Sequence, residues 1–435
     1  MEREKITGEI KIEPQKITAI QSKITNIGEY RQEIEEILEA ASATELLEMI
    51  CSGAIFLGAS DIHLEPSEEE TKLRIRIDGI LQDIINLKRK TYDLLVSRIK
   101  LLSGLKLNIT DRPQDGRFTI LMGEVIIEMR VSVLPAEFGE TIVMRILNPK
   151  SLIEVEALGL RKDLIKIFEK EINRPNGMFI VTGPTGSGKT TTLYAILKKI
   201  NTPEIKIITI EDPVEYHLKG LSQTQVDPSK GYTFASGLRS IMRQDPDVIL
   251  VGEIRDLETA EIACQAALTG HLVFSTLHTN DAAGAVARLI DLGVRPISIA
   301  PALNIVVAQR LPRKVCQKCA KLVVPSTDEL SKLKEGLKGV AKEIIPVDLS
   351  GPDLKIPKPT GCAYCNFTGY RGRIGIYETF IVDDEMEKFI LTSPSIVAMK
   401  ELAIKKGMVL MRQDGLIKVL EGITTIEEVE RVAGE

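Results

Sequence analysis

Residues Gly183-Pro184-Thr185-Gly186-Ser187-Gly188-Lys189-Thr190 satisfy the pattern G-x-x-x-x-G-K-[ST] at each fixed position. The flanks constrain the fold as much as the pattern does. The preceding run Gly177–Thr182, GMFIVT, reads as a buried strand, and Leu193, Ile196, Leu197 and Ile200 then recur at helical spacing. A strand that passes through a glycine turn into a helix aims backbone N–H groups inward and adds the positive end of the helix dipole. That combination cradles phosphates. The expectation is a nucleoside triphosphate on residues 183–190 with Thr191 alongside. Lys189 would reach the β- and γ-phosphates, and the Thr190 hydroxyl would ligate magnesium.

Downstream, short apolar strand candidates at 178–182, 205–210, 248–251 and 272–276 alternate with helical segments. This is the rhythm of a parallel sheet covered on both faces, so 149–312 is expected to be an α/β core. Acids follow two of these strands, Glu211-Asp212 and Glu253, where the ends of such strands meet bound phosphate. Gly252 stands where many phosphate-loop enzymes carry the magnesium aspartate. The magnesium shell would therefore rely on Glu253 and water, with Glu211 as a second carboxylate to orient the attacking water. His271 and His278 flank the strand at 272–277 and are expected at the same loop-bearing edge, as sensors of the γ-phosphate or of a neighbouring subunit.

Before the core, residues 42–148 read as an α+β domain. Ser42-Ala43-Thr44-Glu45 is a capping box, and Leu73, Ile75 and Ile77 alternate with Arg74 and Arg76 up to an Asp78-Gly79 turn. A second hairpin turns at Gly123, and a boundary is expected near Asn148-Pro149. Residues 1–41 read as a polar, irregular extension ending in a charged helical stretch. The segment 379–435 reads as a set of short helices.

Of the 6 cysteines, Cys316/Cys319 and Cys362/Cys365 form two C-x-x-C pairs. Two knuckles of this kind present four thiolates to structural zinc, and redox chemistry is disfavoured because the pairs occur together. The zinc-binding segment is expected to span 313–378, with Ser326-Thr327-Asp328-Glu329 opening a helix that runs to about Lys342. Cys51 and Cys264 lie in apolar, helix-like surroundings and read as core.

The net charge of −5, a pI of about 5.7, 4% aromatics and no Trp give no basic field or stacking platform for nucleic acid. No apolar run approaches the length of ~20 residues that a transmembrane helix needs. The first residues lack the apolar stretch of a signal peptide. A cytosolic chain is expected, and any membrane role must come through a partner.

Taken together, 183–190, Ile210-Glu211-Asp212-Pro213-Val214-Glu215, Leu250-Val251-Gly252-Glu253-Ile254-Arg255-Asp256 and 269–278 resemble the Walker A, Asp box, Walker B and His box motifs of the secretion ATPase superfamily. Ala59-Ser60-Asp61-Ile62-His63-Leu64-Glu65-Pro66, Pro113-Gln114-Asp115-Gly116-Arg117, the four cysteines and the tail segments Asp414-Gly415-Leu416 and Gly422-Ile423-Thr424-Thr425 are similar to its type II secretion and type IV pilus assembly motors. The resemblance implies a RecA-like P-loop ATPase core, a preceding PAS-like α+β domain, a tetracysteine zinc subdomain and a C-terminal helical bundle. It implies ATP, Mg2+ and Zn2+, a homohexamer, and a polytopic inner-membrane platform protein as partner. ATP hydrolysis would power pilin extraction and polymerisation, or the related pseudopilus. Arg130 and Arg145 match the family's γ-phosphate arginines, with Arg239 and Arg243 as further candidates from the core. A DNA-transfer ATPase is the alternative, and the charge balance weighs against it. The extra N-terminal domain of many family members is expected to be absent or reduced to the first 40 residues, which leaves recruitment open.

Overall fold

The computed structural model describes residues 8–149, 152–351 and 354–434. The chain divides into two compact units, 1–151 with 316–319 and 359–371, and 152–315 with 320–358 and 372–435.

The first unit runs β1 (Glu9–Ile12), α1 (Pro14–Lys23), α2 (Ile27–Ile37), α3 (Ala43–Phe56), β2 (Asp61–Pro66), β3 (Glu70–Ile77), β4 (Ile80–Lys88), α4 (Arg89–Leu102), β5 (Gln114–Met122), β6 (Val125–Ala136) and β7 (Gly139–Leu147). Its strands form a seven-stranded sheet in the order β1-β5-β6-β7-β2-β3-β4. Strict alternation sorts the sheet's two faces. Ile127, Met129, Val131 and Val133 of β6 are buried in one core with Tyr30, Ile34, Leu47, Ile50 and Leu95 from the helices, while Glu128, Arg130 and Ser132 lie on the other face. The Ser42 capping box opens α3, and Asp78 (φ 50°) and Gly79 (φ 85°) make the two-residue turn between β3 and β4.

The N-terminal extension is a correction. Within residues 9–37, expected as largely irregular, β1 adds in parallel to β5, burying Ile10 and Ile12, and two helices follow. Its polar composition hid the pattern, because each element buries only a narrow stripe. Tyr30 anchors that stripe: its hydroxyl donates to the Ile50 carbonyl at 2.7 Å, and its ring lies where a side chain on Gly53 would stand.

The second unit runs α5 (Lys162–Ile172), β8 (Gly177–Thr182), α6 (Lys189–Ile200), β9 (Ile207–Glu211), β10 (Ser222–Gln225), α7 (Phe234–Ile241), β11 (Val248–Val251), α8 (Leu257–Leu268), β12 (Leu272–Leu277), α9 (Ala283–Asp291), α10 (Pro296–Ile299) and β13 (Leu303–Arg310). Then come β14 (Arg313–Val315), β15 (Lys321–Val323), α11 (Thr327–Gly336), β16 (Ile356–Lys358), β17 (Tyr370–Arg373, its first two residues in the first unit), β18 (Ile376–Ile381), α12 (Asp384–Ile390), α13 (Ile396–Lys405), α14 (Met411–Leu420) and α15 (Ile426–Ala433). The large sheet has the order β10-β9-β11-β12-β8-β13-β18, parallel up to β13. Strands β8, β9, β11 and β12 are buried at every position, as a sheet covered on both faces requires.

Three expectations about the C-terminal half change. The core sheet does not close at residue 312, because β18 joins it antiparallel to β13. The cysteine turns group with the first unit and the insert between them with the second, so 313–378 is not one body. The helix opened by the Ser326 capping box ends at Gly336 rather than near Lys342, and Leu337 adopts non-helical angles.

Candidate nucleotide and metal sites

The phosphate loop joins β8 to α6 as the sequence implies, and packing explains its glycines. Gly186 and Gly188 adopt φ of 80° and 89°, where side chains are strained. A Cβ on Gly188 would also meet Gln309 Nε2 at 2.8 Å, and one on Gly183 would meet the Gln309 carbonyl oxygen at 2.7 Å. The floor of the loop is therefore the end of β13, with Gln309 also accepting from the Thr192 hydroxyl at 2.7 Å.

Lys189 folds back over this loop, donating to the carbonyls of Gly183 at 2.7 Å and Pro184 at 3.2 Å. Burial pushes its amine down to about 8, with Glu253 opposing the shift and Arg310 adding to it. Phosphate binding favours the charged form, so above pH 8 the empty site must take up a proton to bind nucleotide. Nucleotide affinity is expected to fall about tenfold per pH unit above 8. Calorimetric titrations at pH 7 and pH 9 in buffers of different ionisation enthalpy check both the loss and the proton uptake.

The two candidate glutamates have different surroundings. Glu253 follows β11 and is bonded by Arg255 at 2.5 Å, with His278 Nε2 at 3.6 Å. Its charge acts on Lys189 and on His278 alike. Burial lowers the His278 pKa, and repulsion from Lys189 and Arg255 adds to this, so the imidazole is neutral near pH 7. Glu211 ends β9 on the face that carries Ile207 and Thr209, toward α6. There its carboxylate accepts from the Tyr194 hydroxyl in a short bond, from Thr209 Oγ1 at 2.5 Å and from Gln223 Nε2 at 3.3 Å. Burial raises its pKa against these three donors.

His271 is a second correction. It precedes β12 and His278 follows it, so a six-residue strand separates them, a distance of about 20 Å. In a parallel sheet only the carboxyl ends face the phosphate loop. His271 lies at the opposite edge, its Nδ1 bonded to the Ala266 carbonyl at 3.0 Å. Arg239 is held on the surface of α7 by Glu258 at 2.6 Å, and Arg243, in the turn after α7, by the Arg239 carbonyl and the Ser240 hydroxyl. None of those partners belongs to the phosphate loop.

Arg310 escaped the sequence reading, although it ends the strand beside β8. Its guanidinium donates to the carbonyls of Gln309 at 3.0 Å and Asn280 at 2.8 Å. Thr182 and Thr279 are bonded at 2.7 Å, and these contacts fasten the loop after His278 to the phosphate-loop strand. No sequence pattern marked it: Ala308 pairs with Thr182, which sets the next residues of β13 beside the loop, and that register is a tertiary fact.

In the first unit, Arg130 and Arg145 are directly opposite each other on β6 and β7. Arg145 is bonded to Asp61 at 3.1 Å, and Arg130 lies 3.6 Å from Glu128.

The four cysteine sulfurs converge within 4.8 Å of one another. Their closest separations are 3.9 Å (Cys316–Cys362), 3.8 Å (Cys319–Cys365) and 3.8 Å (Cys362–Cys365). A tetrahedral ion with bonds of ~2.3 Å has edges of about 3.8 Å, so the group has the dimensions of a four-thiolate metal site. Backbone N–H groups of Cys362 and Gly369 donate to the Cys365 sulfur at 3.2 and 3.3 Å, support that thiolate ligands commonly need. Cys51 and Cys264 are buried core thiols, each pushed up to about 12 by burial.

Residues 36–431 match the family model described as type II/IV secretion system protein. The type IV pilus assembly ATPase PilB of Thermus thermophilus is 44% identical over 393 residues, covering 90% of this chain and 43% of that protein. The type II secretion system protein E of Pectobacterium carotovorum is 45% identical over 405 residues, covering 92% of this chain and 78% of its own. Among solved structures, the pilus retraction motor PilT with bound ADP is 28% identical with a TM-score of 0.59, covering 89% of this chain and 96% of that one. The Legionella pneumophila ATPase DotB shares the fold at 21% identity and a TM-score of 0.64, covering 91% and 96%. With its phosphate loop and opposing glutamate in a parallel sheet, the chain belongs to the type II/IV secretion system protein family and is an ATPase.

Proposed function

We propose that the chain is an ATP-driven motor for assembly of a type IV pilus or the related type II secretion pseudopilus. It works as a homohexamer on a polytopic inner-membrane platform protein. The observation that carries the reading is the pairing of Glu253 and His278, 3.6 Å apart after strands β11 and β12 next to the phosphate-loop strand β8, in a chain so close to pilus-assembly and type II secretion ATPases. In this reading the loop N–H groups and Lys189 hold the ATP phosphates, and Thr190 and Glu253 hold Mg2+. The ion neutralises developing phosphoryl charge when bound. Glu253, with a neutral His278 beside it, orients the attacking water. Glu211 polarises water only in a state where Tyr194 releases it. Arg130 and Arg145 supply charge from the N-terminal sheet, a contribution worth roughly 10³–10⁵-fold in such enzymes.

Zinc is the ion that best suits four thiolates at this spacing. We read the N-terminal sheet with its one-sided helical cover as PAS-like, and α12–α15 as the helical bundle. No helix among the described residues is long and apolar enough to cross a membrane. In this reading, partners recruit the chain to the cytoplasmic face of the inner membrane.

The test is Glu253→Gln. The amide keeps the shape but removes the charge that orients water, so nucleotide binding is expected within about threefold of wild type while kcat falls by on the order of 10²–10³. Fluorescent-nucleotide titration and steady-state phosphate release measure the two. Phosphate release near the wild-type rate would remove Glu253 from the mechanism.

A further inference from the structure

Five strands of the N-terminal sheet place charged residues in one unbroken cross-strand row. Arg117 of β5 is opposite Arg130 of β6, and Arg130 is opposite Arg145 of β7. Arg145 is opposite Asp61 of β2, which is opposite Arg76 of β3. Directly opposed residues share a face, so four arginines and one aspartate form a stripe about 19 Å long at a strand spacing of ~4.8 Å. Opposed like charges destabilise a sheet, and here they occur twice in succession. A row of this kind has the charge to meet an anion.

The one acid is the most buried member of the row. The Asp61 side chain is 8% exposed, against 53% for Arg145 and 33% for Arg76. It engages both neighbours through Nε, Arg145 at 3.1 Å and Arg76 at 3.4 Å. The Ser60 hydroxyl donates to its Oδ2 at 2.8 Å and fixes the plane of the carboxylate. An arginine held through Nε keeps its Nη1–Nη2 edge turned away from the holder. That edge is the fork that matches phosphate oxygens. A carboxylate gripping the Nη pair instead would compete with phosphate for it.

We propose that Asp61 is a positioning residue for ATP hydrolysis, which holds the Arg145 guanidinium by its inner edge and presents the outer edge to phosphate. This rests on the reading of Arg145 as a phosphate arginine. Asp61 acts through Arg145 and touches no nucleotide itself. Its charge also offsets the repulsion along the row, so the arginines stay aligned before any anion arrives.

A double-mutant cycle tests this on the full chain, with kcat and KM for ATP measured separately. Asp61→Asn keeps the shape and one acceptor but loses the charge and the second grip. Its kcat is expected to fall by about 10-fold with KM changed less than twofold, since misplacing a transition-state group lowers kcat rather than ground-state binding. In an Arg145→Ala background the same substitution is expected to change nothing further. Ser60→Ala, a milder variant that retains the acid, should give a smaller loss in the same direction that also vanishes in the Arg145→Ala background. Equal effects of Asp61→Asn with and without Arg145 would overturn the proposal, as would a wild-type kcat in both Asp61→Asn and Ser60→Ala. A wild-type kcat in Arg145→Ala alone would remove the phosphate-arginine reading itself, and Asp61 would then have nothing to position.

Discussion

Replacing Lys189 by alanine is expected to weaken nucleotide binding by about 10²-fold or more and to lower phosphate release by at least about 10³-fold, because one group serves both the ground state and the developing phosphoryl charge. The size follows from its surroundings. Lys189 is buried against the loop carbonyls of Gly183 and Pro184, in a place where burial already disfavours its charge. An ammonium kept in such a place against desolvation interacts more strongly with phosphate than a solvated one would. Removing it also leaves those two carbonyls without their donor, so the loop loosens as well. Nucleotide titration and a coupled phosphate assay separate the two losses. A variant that hydrolyses ATP within threefold of wild type would mean that phosphate is bound elsewhere.

The second large effect concerns the cysteine cluster. Structural zinc sites contribute roughly 10–16 kcal/mol of apparent binding free energy at neutral pH, comparable to a typical domain's whole stability of about 5–15 kcal/mol. Elemental analysis is expected to find about one zinc per chain. Strong chelation, or Cys365→Ser, is expected to unfold the two turns, seen as fast amide exchange at 316–319 and 359–371. Cys365 matters most among the ligands because its sulfur also receives the N–H groups of Cys362 and Gly369. The core below the phosphate loop is a separate cluster built on Phe168, Phe179, Leu193 and Phe274, so nucleotide affinity should persist within about threefold after metal loss. Protein that contains no metal, with four freely reactive thiols and slow exchange at both turns, would rule the site out.

Both effects arise at features that short stretches of sequence specify. A glycine loop after an apolar strand, a Ser-x-x-Glu box and an Asp-Gly turn act on neighbours within a few residues. Their geometry follows from local dihedral preferences and nearby hydrogen bonds. The phosphate loop, the starts of α3 and α11 and the turn between β3 and β4 all form where the sequence puts them. The two C-x-x-C turns bring all four sulfurs within reach of one ion despite the long insert between them.

Strand order, register and the facing of each side chain depend on burial between segments far apart in the chain, which composition and periodicity do not encode. That is why β1 and β18 entered their sheets unannounced. His271 and His278 are different: they flank one strand, and strand geometry alone puts them at its opposite ends. Glu211 and Glu253 looked alike as acids after apolar strands. Tertiary packing turned one into a pocket formed by Tyr194, Thr209 and Gln223 and left the other near Lys189. The sequence alone determined that this chain carries a phosphate loop and a four-thiolate group. Only the tertiary structure decided which carboxylate and which histidine share the lysine's field, and that one aspartate grips two arginines in a row of four, because those are consequences of register and of which face each strand buries.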